Sequence, residues 1–202
     1  VKIVHPNTSQ IADPDQFTRE AKLAARLNHR GIVSVFDQGS DGDFTYLVME
    51  YVPGKTLRDV MREEAPMSPR RALAYLEPIL VALSEAHKSG LIHRDMKPEN
   101  VLISTICVVT VADFGSARAA TGDQRTSSVL IGTVSYLAPE VIANQAVDPR
   151  ADIYACGAIF FEMITGRKPH SADSPIAVAH KHVAEDVAAP STLVPDIPPY
   201  VD

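Results

Sequence analysis

The chain has 202 residues, 46% hydrophobic and 22% charged with a mean hydropathy near zero, the mixture of an ordinary soluble globular protein with room for one sizeable core or two small ones. Its net charge of −6 is spread without a basic block, which argues against nucleic acid as a partner, because neutralising phosphates needs clustered Lys and Arg. The most apolar stretch, Ile153 to Thr165, is too short to span a bilayer and carries Glu162, so no membrane contact is expected within the chain.

Val1 to His5 reads as a short β-strand. Asp13-Pro14-Asp15-Gln16 is a helix start, and Phe17, Ala21, Ala24 and Leu27 carry the helix to about Asn28. Ile32 to Asp37 and Phe44 to Tyr51 read as strands joined by a turn at Gly39-Ser40-Asp41-Gly42. Val52-Pro53-Gly54 breaks the pattern and divides a small unit, residues 1–52, from a larger one, residues 53–202. A long helix starts at Ser68-Pro69, presents Leu73, Leu76, Leu80, Leu83 and His87 as a stripe, is expected to kink at Pro78 and stops at Gly90. Val101 to Ser104 and Val108 to Ala112 form a hairpin of buried strands, and helices follow from Asp152 to Thr165 and from about Pro175 to Val183. Cys107 and Cys156 lack a CxxC spacing and read as buried thiols in a reducing compartment. His180-Lys181-His182 has no third ligand in view and reads as a pair of surface histidines on a helix.

The chemistry concentrates in His93-Arg94-Asp95-Met96-Lys97-Pro98-Glu99-Asn100, an HRD followed by Asn in the pattern of a phosphotransfer loop. Phosphoryl transfer needs the hydroxyl, phosphates and metal held in line more than it needs covalent help. Asp95 can accept a hydrogen bond from an incoming hydroxyl, Asn100 can offer a carbonyl oxygen to a divalent cation, and Lys97 can lie against the transferring phosphate. Asp113-Phe114-Gly115 follows Asp95 after a segment long enough for one hairpin, which would return the Asp113 carboxylate to the same cleft as a magnesium ligand. Alone, this tripeptide is weak; behind the loop pattern it is strong.

With these motifs the chain resembles the protein kinase family, and further landmarks follow in order. Ala138-Pro139-Glu140 matches that family's APE motif, and Gly132-Thr133 resembles the segment facing the substrate hydroxyl, with Thr133 bonding to the catalytic Asp and Lys. Asp152 in Asp152-Ile153-Tyr154-Ala155-Cys156-Gly157 resembles the aspartate that braces the catalytic loop from the central helix. Lys2 resembles the strand lysine that binds the α- and β-phosphates, and Glu20 the helix glutamate that pairs with it. Met49-Glu50-Tyr51-Val52 resembles the hinge that bonds adenine through the backbone, with Met49 at the back of the pocket. The resemblance implies an α+β, two-lobed kinase fold with a partial small lobe and a mainly helical large lobe. It also implies ATP with Mg2+ (or Mn2+) as cofactors and proteins with Ser or Thr hydroxyls as substrates. Lys97 two residues after Asp95 is the serine/threonine pattern, and the wording around Leu91-Ile92-His93 resembles bacterial eukaryotic-like, receptor-type kinases. That implies a cytoplasmic domain whose parent is anchored in the cell membrane.

Arg94 precedes the catalytic Asp, and in such kinases it pairs with a phosphorylated residue of the activation segment. Thr126 is the first candidate and Ser127 and Ser128 are next, with a kinase homodimer as the route to autophosphorylation. No glycine-rich loop precedes Lys2 and the last helices of the family are not seen, so both ends read as cut. The isolated chain is accordingly expected to be poorly stable and nearly inactive. Two other readings stay open: a phosphorylation-dependent scaffold, against which Lys2, Asp95, Asn100 and Asp113 speak, and a small-molecule kinase, whose loop usually reads HGD and which lacks the APE segment.

Overall fold

The computed structural model describes residues 2–4, 27–41, 44–114 and 134–202. Among them, two three-stranded antiparallel sheets and a set of helices form an α+β fold, as expected. The first sheet contains β1 (Lys2–Val4), β2 (Val35–Asp41) and β3 (Phe44–Met49) in the order β1-β3-β2, with Lys2 opposite Leu47 and Val35 opposite Met49. The strand expected over Ile32 to Asp37 therefore starts later, and β2 runs through Gly39-Ser40-Asp41, where a turn was expected. Ile32 instead makes a single parallel bridge to Val111. The Val33 N–H donates to the Val111 carbonyl and the Val111 N–H to the Gly31 carbonyl, at 2.9 and 2.8 Å, fastening this segment to the second sheet.

That second sheet, β4 (Gly54–Thr56), β5 (Val101–Ser104) and β6 (Val109–Val111) in that order, contains the expected hairpin and adds a strand the sequence reading lacked. Gly54 is required there, because a Cβ would overlap the Ile103 carbonyl oxygen. Directly after β4, α1 (Leu57–Glu64) starts with a capping box. The Asp59 N–H donates to Thr56 Oγ1 at 3.1 Å, and the Thr56 N–H returns to Asp59 Oδ2 at 3.2 Å. Leu57, Val60 and Met61, at helical spacing, turn inward.

Ser68 caps α2 (Pro69–Lys88), which continues through Pro78. The face it buries is Ala72, Tyr75, Ile79, Ala82, Leu83 and Ala86, rotated from the expected leucine stripe, and Leu73 is half exposed. The small alanines let α2 lie close to α4 (Arg150–Thr165). That helix is buried around most of its circumference, and Ile159 and Met163 are fully enclosed; each such side chain contributes about 2 kcal/mol of transfer free energy. It ends where Gly166 adopts φ 69° and its N–H donates to the Glu162 carbonyl at 2.8 Å. The short α3 (Pro139–Ile142) precedes it, and α5 (Pro175–Ala184, capped by Ser174) and α6 (Pro190–Leu193) follow. Among the described residues no helix is long and apolar enough to cross a membrane.

Two expectations about single residues need correction. Cys156 is buried in α4, but Cys107 is exposed, with φ 62°, in the connection between β5 and β6. His182 is not on the surface: it is 4% exposed while His180 is exposed. Residues two apart on a helix point to nearly opposite sides, about 200° round the axis, so one His of the pair faces the core and the two do not converge on a metal.

Candidate active site

The site is built from α4 outward. Asp152, in the first turn of α4, is fully buried. A carboxylate there is costly unless donors surround it, and three do. The backbone N–H of His93 donates to Oδ2 and that of Arg94 to Oδ1, each at 2.8 Å, and His87 Nε2 approaches Oδ2 at 2.7 Å. Two successive amides aimed at one carboxylate fix the loop, and they do so with Arg94 in the left-handed region at φ 65°. A non-glycine residue holds that conformation only where its surroundings impose it.

His93 then ties the loop to the hairpin. Its Nδ1 accepts the Asp95 N–H at 3.2 Å and its Nε2 donates to the Ala112 carbonyl at 2.8 Å, so one neutral tautomer satisfies both bonds. The ring packs edge to face on Phe114, centroids 4.7 Å apart. The histidine of the motif is thus a buried strut.

On this frame, Lys97 Nζ lies 2.6 Å from Asp95 Oδ2 in a mostly buried pair. Asn100 Nδ2 donates to the Asp95 carbonyl at 2.8 Å and to Asp95 Oδ2 at 3.2 Å. Those two bonds orient the amide so that its oxygen faces away from Asp95, as an oxygen donor to a cation requires. The Ala112 N–H donates to the Asn100 carbonyl at 2.8 Å, which sets Asp113, itself at φ 66°, one residue beyond Asn100's backbone partner. Asp95, Lys97, Asn100 and Asp113 are therefore brought together. Among the described residues no cluster of three His, Cys, Asp or Glu could hold a metal by protein alone. The amide and carboxylate oxygens of Asn100 and Asp113 nevertheless suit magnesium, which usually completes its shell with phosphate and water.

The residues expected to form the hinge lie at the exit of β3. Met49 pairs with Val35, and the Glu50 N–H is used on the Ser34 carbonyl at 2.9 Å. Among the described residues the Glu50 carbonyl and Val52 N–H have no backbone partner, the kind of groups an adenine edge can pair with. The backbone of Lys2 lies in β1, opposite Leu47. Glu20, Thr126, Ser127, Ser128 and Thr133 fall outside the described residues.

Sequence reasoning missed a second polar cluster. Arg58 Nε bonds Glu99 Oε1 at 2.8 Å, its Nη1 bonds Glu162 Oε1 at 2.9 Å, and its Nη2 reaches the Tyr136 hydroxyl, which donates to Glu162 Oε2 at 2.5 Å. Burial works to lower the Arg58 pKa, but the bonds to Glu162 and Glu99 outweigh it and hold the guanidinium charged. Burial, reinforced by Glu162, pushes the Tyr136 phenol up, so it stays a donor. The Thr56–Asp59 cap was a readable signal for α1; the partners 41 to 104 residues away from Arg58 were not. His87, missed as Asp152's third donor, was visible only as a member of a helical stripe.

Comparisons with known proteins agree with this geometry. Residues 1–197 match the family model of the protein kinase domain. The chain is 43% identical over 199 residues to the serine/threonine-protein kinase PknL of Mycobacterium tuberculosis (strain CDC 1551 / Oshkosh), covering 96% of this chain and 50% of that protein. It is 45% identical over 194 residues to the serine/threonine-protein kinase PknB of Mycolicibacterium smegmatis, covering 93% of this chain and 31% of that protein. The chain thus spans half the length or less of these curated relatives. An HRD loop hung from a buried helix aspartate, an Asp113 returned beside it by a hairpin, and a family match over nearly every residue lead to one conclusion: the chain belongs to the protein kinase family and has its two-lobed α+β fold.

Proposed function

We propose that this chain is the catalytic part of a serine/threonine protein kinase, with residues 1–52 contributing to the small lobe and residues 53–202 to the large one. The observation that carries the reading is the cluster of Asp95, Lys97 and Asn100 on a loop whose backbone is bonded to Asp152. When bound, ATP with magnesium or manganese supplies the transferable γ-phosphoryl group and neutralises charge on its oxygens. Asp95 would accept the hydrogen bond of the acceptor Ser or Thr hydroxyl and take up its proton, the γ-phosphoryl group passing to that oxygen and ADP leaving. Lys97, already held against Asp95, spreads the negative charge that develops beside it. Asn100 and Asp113 would hold the metal, Lys2 and Glu20 would position the α- and β-phosphates, and the backbone of Glu50 and Val52 would bond adenine with Met49 behind it.

The finer parts of the reading follow the sequence. Autophosphorylation at Thr126, Ser127 or Ser128, between two copies of the kinase, gives Arg94 an anionic partner, and Thr133 faces the acceptor hydroxyl. The domain works in the cytoplasm on a membrane-anchored parent, and the 202 residues by themselves are weakly active. The test is incorporation of labelled γ-phosphate into protein by the full-length kinase and by Asp95→Asn. Labelling on Ser or Thr that drops by about 10²- to 10⁴-fold in the variant, the usual worth of a positioned base, supports the reading. No labelling by either, despite ATP binding, would make the protein a scaffold.

A further inference from the structure

Helix α5 packs on α3 and on the 3-10 turn Val134–Tyr136, and little holds it there. Its buried side chains are Val178 and His182, one turn apart, while Ile176 and Val183 face outward. A helix with so few buried apolar contacts sits at the low end of local stability. One of its two anchors is an imidazole. His182 Nδ1 meets the Tyr154 hydroxyl of α4 at 2.7 Å, and the two rings stand edge to face with centroids 5.8 Å apart. The second neighbour is His170, from the connection between α4 and α5, also edge to face at 4.8 Å. His170 and His182 are 5% and 4% exposed, and among the described residues the Nε2 of each is buried without a hydrogen-bond partner.

These surroundings suit the neutral ring. An imidazolium donates from both nitrogens, and Tyr154 can take one of the two bonds. The nearby Ser135 backbone favours a proton on the ring, but Nε2 does not reach it in hydrogen-bond geometry. Burial outweighs that help and, with His170 adding to it, depresses the His182 pKa to about 4. Each element packed here brings its own titratable or charged groups. From α4 comes Tyr154, whose phenol is pushed up by burial and by Glu140 of α3 and so stays protonated. The end of α5 brings Lys181 and Glu185, which act on His170 in opposite senses, and the exposed His180. The turn brings Ser135, to whose hydroxyl Lys168 Nζ donates at 3.1 Å.

We propose that His182, with His170, is an acid-released latch: a proton on the pair frees α5 from α4 and from the turn Val134–Tyr136, and transfer to protein falls while ATP binding persists. The release is argued from the packing of α5. Its effect on transfer rests on the phosphotransferase reading, because the turn carries the chain on from Gly132-Thr133. Once released, His182 regains the ordinary histidine value of about 6.5, so between that pH and about 4 the free helix holds a proton that the docked helix lacks. Release is therefore favoured as pH falls, by about 20-fold between pH 7 and pH 5.

The test uses the full-length kinase, His182→Gln and His170→Phe. Gln offers Tyr154 an amide and takes up no proton. Phe at position 170 keeps a ring beside His182 and removes one unpartnered nitrogen, so a readable variant remains if the first does not fold. Amide hydrogen exchange, corrected for the intrinsic rate at each pH, is followed at pH 7 and pH 5. In the unsubstituted kinase α5 should lose about 20-fold in protection relative to α2 and α4; His170→Phe should lose less, and His182→Gln nothing. Over the same range kcat/KM for a protein acceptor should fall more than slow ATP hydrolysis to water, and that excess should vanish in His182→Gln. Protection lost equally from all three helices, or lost from α5 as much in the variants as in the parent, overturns the latch. Release of α5 with acceptor kinetics that merely follow hydrolysis overturns its link to transfer. If the unsubstituted kinase transfers no phosphate to protein, the phosphotransferase reading fails, and the exchange of α5 still decides the latch.

Discussion

Two buried carboxylates on α4, ten residues apart, organise the large lobe in different ways. Asp152 is spent mainly on backbone amides, those of His93 and Arg94, with one side chain, His87, added. Glu162 is spent on side chains alone, Arg58 and Tyr136. Backbone bonds fix the path of a loop whatever side chains it carries. Side-chain bonds join segments and can be retuned by single substitutions. The loop proposed to carry the chemistry hangs from the first; the turn Val134–Tyr136, which follows the segment proposed to face the acceptor, is bonded to the second.

That contrast predicts unequal costs. Asp152→Ala strands two amide donors and an imidazole in a dry interior and should destabilise by about 4 kcal/mol. Glu162→Gln keeps the shape and loses the charge opposite Arg58, and should cost about half as much, on the order of 2 kcal/mol. Urea unfolding of both variants checks the order; equal costs would break the distinction between the two anchors.

A third buried pair sharpens the comparison, because it holds no charge at all. His170 and His182 meet edge to face with ring centroids 4.8 Å apart, and His182 Nδ1 meets the Tyr154 hydroxyl at 2.7 Å. Burial, with His170 adding to it, depresses the pKa of His182 to about 4, and burial lowers His170 too. Lys181 and Glu185, at the end of the helix that carries His182, are the charged groups that act on His170, Glu185 opposing the depression and Lys181 adding to it. With the folded pKa below the unfolded value of about 6.5, the neutral form contributes its full stability above that pH and loses it as pH falls toward 4. The loss at pH 5 should be about 1–2 kcal/mol relative to pH 7, and His182→Gln should flatten that acid limb in urea unfolding followed against pH. An unchanged limb in the variant would mean that His182 does not titrate in this way.

What could be read from the sequence was local. The loop from His93 to Asn100 is contiguous and its motif names its own chemistry, and Asp113 follows after one hairpin. The cap at Ser68-Pro69 marked the start of α2, and α5 begins at Pro175, about where the sequence placed it. β4 was illegible because three residues with no alternation carry no strand signal, and it exists only because β5 offers an edge to pair with. Gly39 to Asp41 looked like a turn by composition, yet pairing with β3 keeps it in the strand. The inward face of α2 follows its alanines because α4 packs there, which no leucine count could show. The burial of His182 and the partners of Arg58 depend on contacts distant in sequence, so neither left a local trace.

The central claim is that Asp152 makes Asp95 competent by holding the backbone between them. Steady-state phosphoryl transfer by the full-length Asp152→Asn kinase at saturating ATP tests it most directly, with the melting temperature confirming that the protein remains folded. The account predicts a fall in kcat of about 10²-fold, the scale expected when reacting groups are misplaced by about an ångström, while ATP affinity changes far less. A folded variant whose kcat stays within about twofold of the parent would contradict it, and Asp152 would then stabilise the lobe without serving the reaction.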